Sequence, residues 1–221
     1  MSAGPYLRPG VAAALILALA CLPVPAPAQE SIAVTGRKEL SVPAPAAGAQ
    51  EKLRLSLALL EDTGWEEEAI AGAVRDATGI LAQCGVALER AELVRVRAPG
   101  VFRDFLTPLS RKLAAEVPLP RPAIWFVRDT RQRPAFDAEA IGRGNSRTRP
   151  ELADTVWVTR ATRDLGIALA HELAHVLMDS GEHSDEPDNL MREETGPGNT
   201  RLTSPQCERL RDTARANGLL R

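Results

Sequence analysis

From Glu51 onward, hydrophobic and polar residues follow two distinct periods. Leu53, Leu55, Leu57 and Leu59 are separated by Arg54, Ser56 and Ala58, which is the period-two pattern of a strand. In Trp65 to Cys84, Ile70, Val74, Ile80 and Leu81 fall near one helical face. Thr63 and Glu66 form a capping-box signature ahead of that helix, and Gly85 stops it. Val86 to Val96 returns to alternation and reads as a second strand. Phe102 to Ala115 reads as a shorter helix, and Ala123 to Val127, a compact apolar run, as a buried strand. Ala138 to Ser146 is broken by Gly142 and Gly144 and reads as an edge strand and loop. Thr155 to Thr159 is a strand and Thr162 to Asp179 a long helix. A last helix starts at Thr203-Ser204-Pro205, with proline in the first turn, and runs to about Asn217. This order predicts one α/β domain over residues 51–221. A twisted mixed sheet would be flanked by helices in three layers, with one long helix and one C-terminal helix.

The N-terminal residues have a different pattern. Arg8 precedes twelve apolar residues, Val11 to Leu22, and then Pro-Val-Pro-Ala-Pro-Ala-Gln. That is a basic region, a short apolar core and a small-residue cleavage site, so residues 1–28 read as a secretory signal cut after Ala28. Acylation at Cys21 is the minor alternative, because the usual leucine three residues before such a cysteine is missing. Residues 29–50 hold Pro43, Pro45 and an alanine-rich run, and are expected to form a flexible lead-in. The protein is therefore expected to be exported, secreted or periplasmic, without stable membrane insertion.

Composition narrows the function. A formal net charge of −2 over 221 residues gives no support for nucleic-acid binding. Without Cys21, export leaves only Cys84 and Cys207, which admit one intramolecular disulfide; the alternative is two buried thiols. Closing so long a loop contributes roughly 4–5 kcal/mol in the chain-entropy model. The only tyrosine, Tyr6, lies in the signal, so no mature tyrosine is left to bind an oxyanion.

All three histidines fall within thirteen residues, His171-Glu172-Leu173-Ala174-His175-Val176-Leu177-Met178-Asp179-Ser180-Gly181-Glu182-His183. His171 and His175 lie one turn apart on the predicted long helix, on the same face, where two imidazoles can bind one tetrahedral metal ion. Glu172 sits where a carboxylate can reach a metal-bound water while staying outside the metal's own ligands. Gly181 is expected to turn the chain back so that His183 completes a three-histidine site, leaving a fourth position open as in catalytic zinc sites. The alternative third ligand is a carboxylate such as Glu194.

The stretch HELAHVLMDSGEH followed by Asn189-Leu190-Met191 resembles the metzincin clan of zinc metallopeptidases, which carry HExxHxxGxxH and a later methionine turn. On that resemblance His171, His175 and His183 are the zinc ligands, Glu172 the general base and Met191 the methionine beneath the metal. The fold it implies is zincin-like. Here Met178 stands where the pattern has glycine, and the third histidine comes eight residues after the second instead of six. The implied function is an exported, zinc-dependent peptidase that cleaves peptide or protein substrates with a water activated by Glu172. A zinc hydrolase acting on a non-protein amide such as a cell-wall peptide, and a catalytically silent zincin-fold binding module, are the alternatives.

Overall fold

A computed structural model describes Met1, residues 31–41 and residues 51–221. Apart from Met1, the expected signal, with Cys21, lies outside the described residues. Eight strands and four α-helices follow one another: β1 (Ala33–Glu39), β2 (Glu51–Leu60), α1 (Glu67–Leu81), β3 (Val86–Arg97), β4 (Asp104–Phe105), α2 (Thr107–Glu116), β5 (Ala123–Phe126), β6 (Asp129–Thr130), β7 (Ala138–Ile141), β8 (Thr155–Val158), α3 (Leu165–Met178) and α4 (Ser204–Ala216). Six strands make one sheet in the order β1-β3-β2-β5-β8-β7, and β4 pairs with β6 beside it. The central strands run parallel, and both edges, β1 and β7, are antiparallel to their neighbours.

The leucine alternation of β2 explains why the sheet is covered twice. Leu53, Leu55, Leu57 and Leu59 enter the core shared with α1, α3 and α4. Ala58 and Leu60, pointing the other way, enter the core shared with α2. Strand β5 divides in the same manner, with Ile124 and Phe126 on one face and Trp125 on the other. Trp125 lies opposite Trp157 in the β5–β8 register, and their rings stack at 5.1 Å, only 6° from parallel. The result is the expected three-layer α/β domain, with α3 laid against the sheet beside edge strand β7. Gly166 lets α3 approach α1: a Cβ there would sit 2.4 Å from the Cβ of Asp76.

Several local expectations are corrected. Part of the lead-in is strand β1, although AVTGRKE has no apolar period; its main chain pairs with β3 from Ala33↔Arg97 to Glu39↔Glu92. The Thr63–Glu66 capping box does not form. Thr63 Oγ1 instead donates to the Leu60 carbonyl at 2.6 Å, closing the turn after β2, and α1 starts at Glu67 without a side-chain cap. The end of that helix tightens into a 3₁₀ turn over Ala82–Cys84, and Gly85, at φ 73°, terminates it as expected. The shorter helix starts later than Phe102, which lies in a separate 3₁₀ turn, because Pro108 fixes the first turn of α2. A capping box does form on α4, between Thr203 and Gln206.

Cys84 and Cys207 are joined as a disulfide, Cα to Cα 4.9 Å, tying the end of the α1 segment to the first turn of α4. No helix among the described residues is long and apolar enough to cross a membrane.

Candidate metal centre

Helix α3 is apolar almost all round, so it is buried along most of its length. His171, Glu172 and His175 are the ionisable side chains it carries. His171 and His175 are 3% and 8% exposed, and their rings meet edge to face. His183, on the exposed loop beyond the helix, turns its ring inward over both. The Nε2 atoms of His171 and His175 are 2.9 Å apart, and those of His175 and His183 are 3.3 Å apart. The ligand atoms of all three lie within 4.8 Å of one another. Among the described residues no carboxylate joins this cluster. Glu194, the alternative ligand, lines an adjoining part of the cleft beside His171 and Glu172.

The tautomers follow from the outer nitrogens. His171 Nδ1 is 2.7 Å from the Leu190 carbonyl, and His175 Nδ1 is 2.7 Å from the Ser180 carbonyl. A carbonyl only accepts, so each Nδ1 carries the proton and each Nε2 presents a lone pair inward. Burial pushes both imidazoles toward the neutral form. His171 is lowered by desolvation, opposed by its carbonyl partner. His175 is lowered to about 4, by desolvation and then by the neighbouring His171. Neutral rings with converging lone pairs repel unless a cation lies between them. The donor set therefore fits zinc: nitrogen ligands in a tetrahedron at 2.0–2.1 Å lie about 3.3 Å from one another. The carbonyl contacts to Nδ1 are the outer support that orients metal-binding imidazoles.

Glu172 borders the same cleft. Desolvation raises its pKa to about 8, the Glu139 carboxylate adds to the rise, and a hydrogen bond from the Ala140 main chain opposes it. A cleft of about 560 Å³ opens here, between the three histidines and β7 with its following loop. Among the described residues, strand β7 pairs with β8 alone and forms one edge of the sheet.

Two parts of the site were not visible in the sequence pattern. The chain reverses at Asp179, not Gly181: Asp179 is the left-handed residue that ends α3, at φ 45°, ψ 48°. Asn189 is 1% exposed. Its Oδ1 accepts from the Met191 N–H at 2.9 Å, and this holds the turn whose Leu190 carbonyl receives His171. Met191 itself is buried in the core that contains α3.

No protein-family model matches the chain, and no curated protein matches it. Solved structures do. A crystal structure of archaemetzincin from Methanopyrus kandleri aligns with a TM-score of 0.50 at 14% identity, over 74% of this chain and 96% of that one. Metalloproteinase-II from Bacteroides fragilis aligns with a TM-score of 0.52 at 19% identity, over 80% of this chain and 57% of that one. This chain thus spans little more than half the length of the Bacteroides fragilis protein. At such identities the likeness shows the fold alone, an α/β domain like those of these two proteins, which is the fold class the sequence predicts.

Proposed function

We propose that this protein is an exported zinc-dependent peptidase. The observation that carries the reading is the convergence of three imidazole nitrogens in a cleft that Glu172 also lines and that an edge strand walls. His171, His175 and His183 would hold the ion. Zinc bound there supplies Lewis-acid polarisation of a carbonyl and acidifies a water. Glu172 takes the proton of the attacking water and hands it to the leaving amine. The outer edge of β7, where Glu172 holds the Ala140 main chain, offers its remaining main-chain groups to an extended peptide, by strand addition across the cleft. Met191, buried behind the Asn189–Leu190 turn, forms an apolar support for the ligand frame.

That Glu172 retains its place beside the histidines favours an enzyme over a silent binding module. The names of the two structural neighbours support peptides as substrates. The Cys84–Cys207 disulfide supports passage through an oxidising compartment, and so the export reading of residues 1–28.

The test is direct. Purified protein should hold about one zinc per chain, cleave unstructured peptides, and lose that activity on chelation. Glu172→Gln should bind zinc and not cleave. Protein that binds no zinc ends the proposal. Zinc-loaded protein that cuts cell-wall fragments but no peptide moves the substrate to non-protein amides.

A further inference from the structure

Asp179 touches both walls of the cleft. It occupies the left-handed region, which a residue with a Cβ enters at a cost and which Asp and Asn tolerate best. Its Oδ1 accepts a hydrogen bond from the Gly144 N–H at 3.0 Å. Gly142, on the same loop, packs close against that oxygen: a Cβ there would come within 2.7 Å of it, so the carboxylate would have to shift. Gly142 and Gly144 directly follow β7 and line the cleft with His171, Glu172 and His175. On the other side, Asp179 sets the path of Ser180, whose N–H donates to the His175 carbonyl at 3.1 Å. The Ser180 carbonyl in turn receives His175 Nδ1 at 2.7 Å. His183 follows three residues later.

We propose that Asp179 is a positioning residue that fastens the substrate-binding wall after β7 to the frame of the metal ligands. Its backbone and its side chain do separate jobs. The left-handed turn aims Ser180 and the His183 loop at the metal site. The carboxylate holds the Gly142–Gly144 segment, and with it the register of the β7 edge against the histidines. A glycine at the turn, as in the metzincin pattern, would reverse the chain without reaching across the cleft. The inference rests on the peptidase reading only for its kinetic consequence.

Three variants of the full zinc-loaded chain separate the two jobs. Asp179→Gly keeps the turn and loses the acceptor. Its zinc content should be unchanged, while the Gly144 amide exchanges at least about tenfold faster. Its KM for a peptide should rise about tenfold, with kcat within about threefold. Asp179→Asn keeps both turn and acceptor, and should return exchange and KM to within about twofold of wild type. Asp179→Ala loses both, and its zinc affinity should fall as well. Unchanged exchange and KM in Asp179→Gly would overturn the proposal, as would failure of Asp179→Asn to restore them. The exchange measurement needs no substrate. If wild-type protein cleaves nothing, the peptidase reading fails and Gly144 protection still decides the role of Asp179.

Discussion

Asn189 and Gln206 exchange two hydrogen bonds, Nδ2 to Oε1 at 2.9 Å and Nε2 to Oδ1 at 3.1 Å. The same two side chains finish other elements. Asn189 Oδ1 holds the Met191 N–H, and Gln206 Oε1 accepts the Thr203 N–H in the cap of α4. The C-terminal helix is thereby tied to the turn that orients His171. Asn189→Ala leaves buried partners unmatched and should destabilise the fold by about 1–3 kcal/mol. It should also weaken zinc binding, because the Leu190 carbonyl loses its fixed position. Chemical denaturation together with a zinc titration checks both, and Gln206→Ala should show the same pairing of effects. A stability loss with unaltered zinc affinity would separate the turn from the metal site.

The third ligand is tested by comparing two substitutions. His183→Ala removes an Nε2 that the structure places 3.3 Å from that of His175. Zinc affinity should fall at least about 100-fold, since a ligand lost costs more than a supporting contact. Glu194→Gln should leave the affinity nearly unchanged. The opposite ranking in a competition assay with a chelator would reinstate the carboxylate.

In metal-free protein, two buried groups set opposing pH dependences. Glu172 is raised from 4.5 to about 8, so its contribution to stability is full below pH 4.5 and is lost as pH rises toward 8. His175 is lowered from 6.5 to about 4, so its contribution is full above pH 6.5 and is lost as pH falls toward 4. Between 4.5 and 6.5 these two nearly cancel, leaving the opposing contributions of His171, lowered by burial, and Glu139, raised by burial. Above 6.5, of the first two, only the Glu172 loss remains, so the Tm should fall from pH 6.5 to 8. Glu172→Gln should remove that falling limb, and thermal melts across the range decide it.

The disulfide links positions 123 residues apart. Cys84→Ser with Cys207→Ser should lower stability by about 2–5 kcal/mol in urea unfolding. Equal stability of the reduced and oxidised wild-type protein would contradict this.

Features carried by local pattern were legible before any coordinates. The alternating leucines of β2 predict a strand, and the strand forms; the burial of Ala58 and Leu60 on its other face depends on the distant helix α2 and is not in that pattern. The pairing of Cys84 with Cys207 is the one disulfide open to the chain once residues 1–28 are read as a cleaved signal, and the structure forms it in preference to two buried thiols. The histidines are legible because helix geometry alone brings His171 and His175 together. Features carried by distant partners were not. Strand β1 is polar and exposed, and is held by main-chain bonds to β3 that leave no mark on its side chains. Gly181 offered the obvious turn signal, yet Asp179 makes the turn, supported by Gly144 from a separate loop. Asn189 looks like an ordinary loop asparagine until Gln206 is placed beside it. Thr63 matched a cap pattern, but the Leu60 carbonyl is the nearer partner for its hydroxyl.

The proximity of the three donors in the chain bears on how the protein matures. All are supplied by one helix and the loop that follows it, within thirteen residues. Gathering them closes only a short loop, and short closures are quick and entropically cheap. The sheet instead joins segments far apart in sequence, a slower process. An ion captured early would brace α3 and its return loop while the strands are still finding their order, so zinc supply during folding would govern the yield of folded protein.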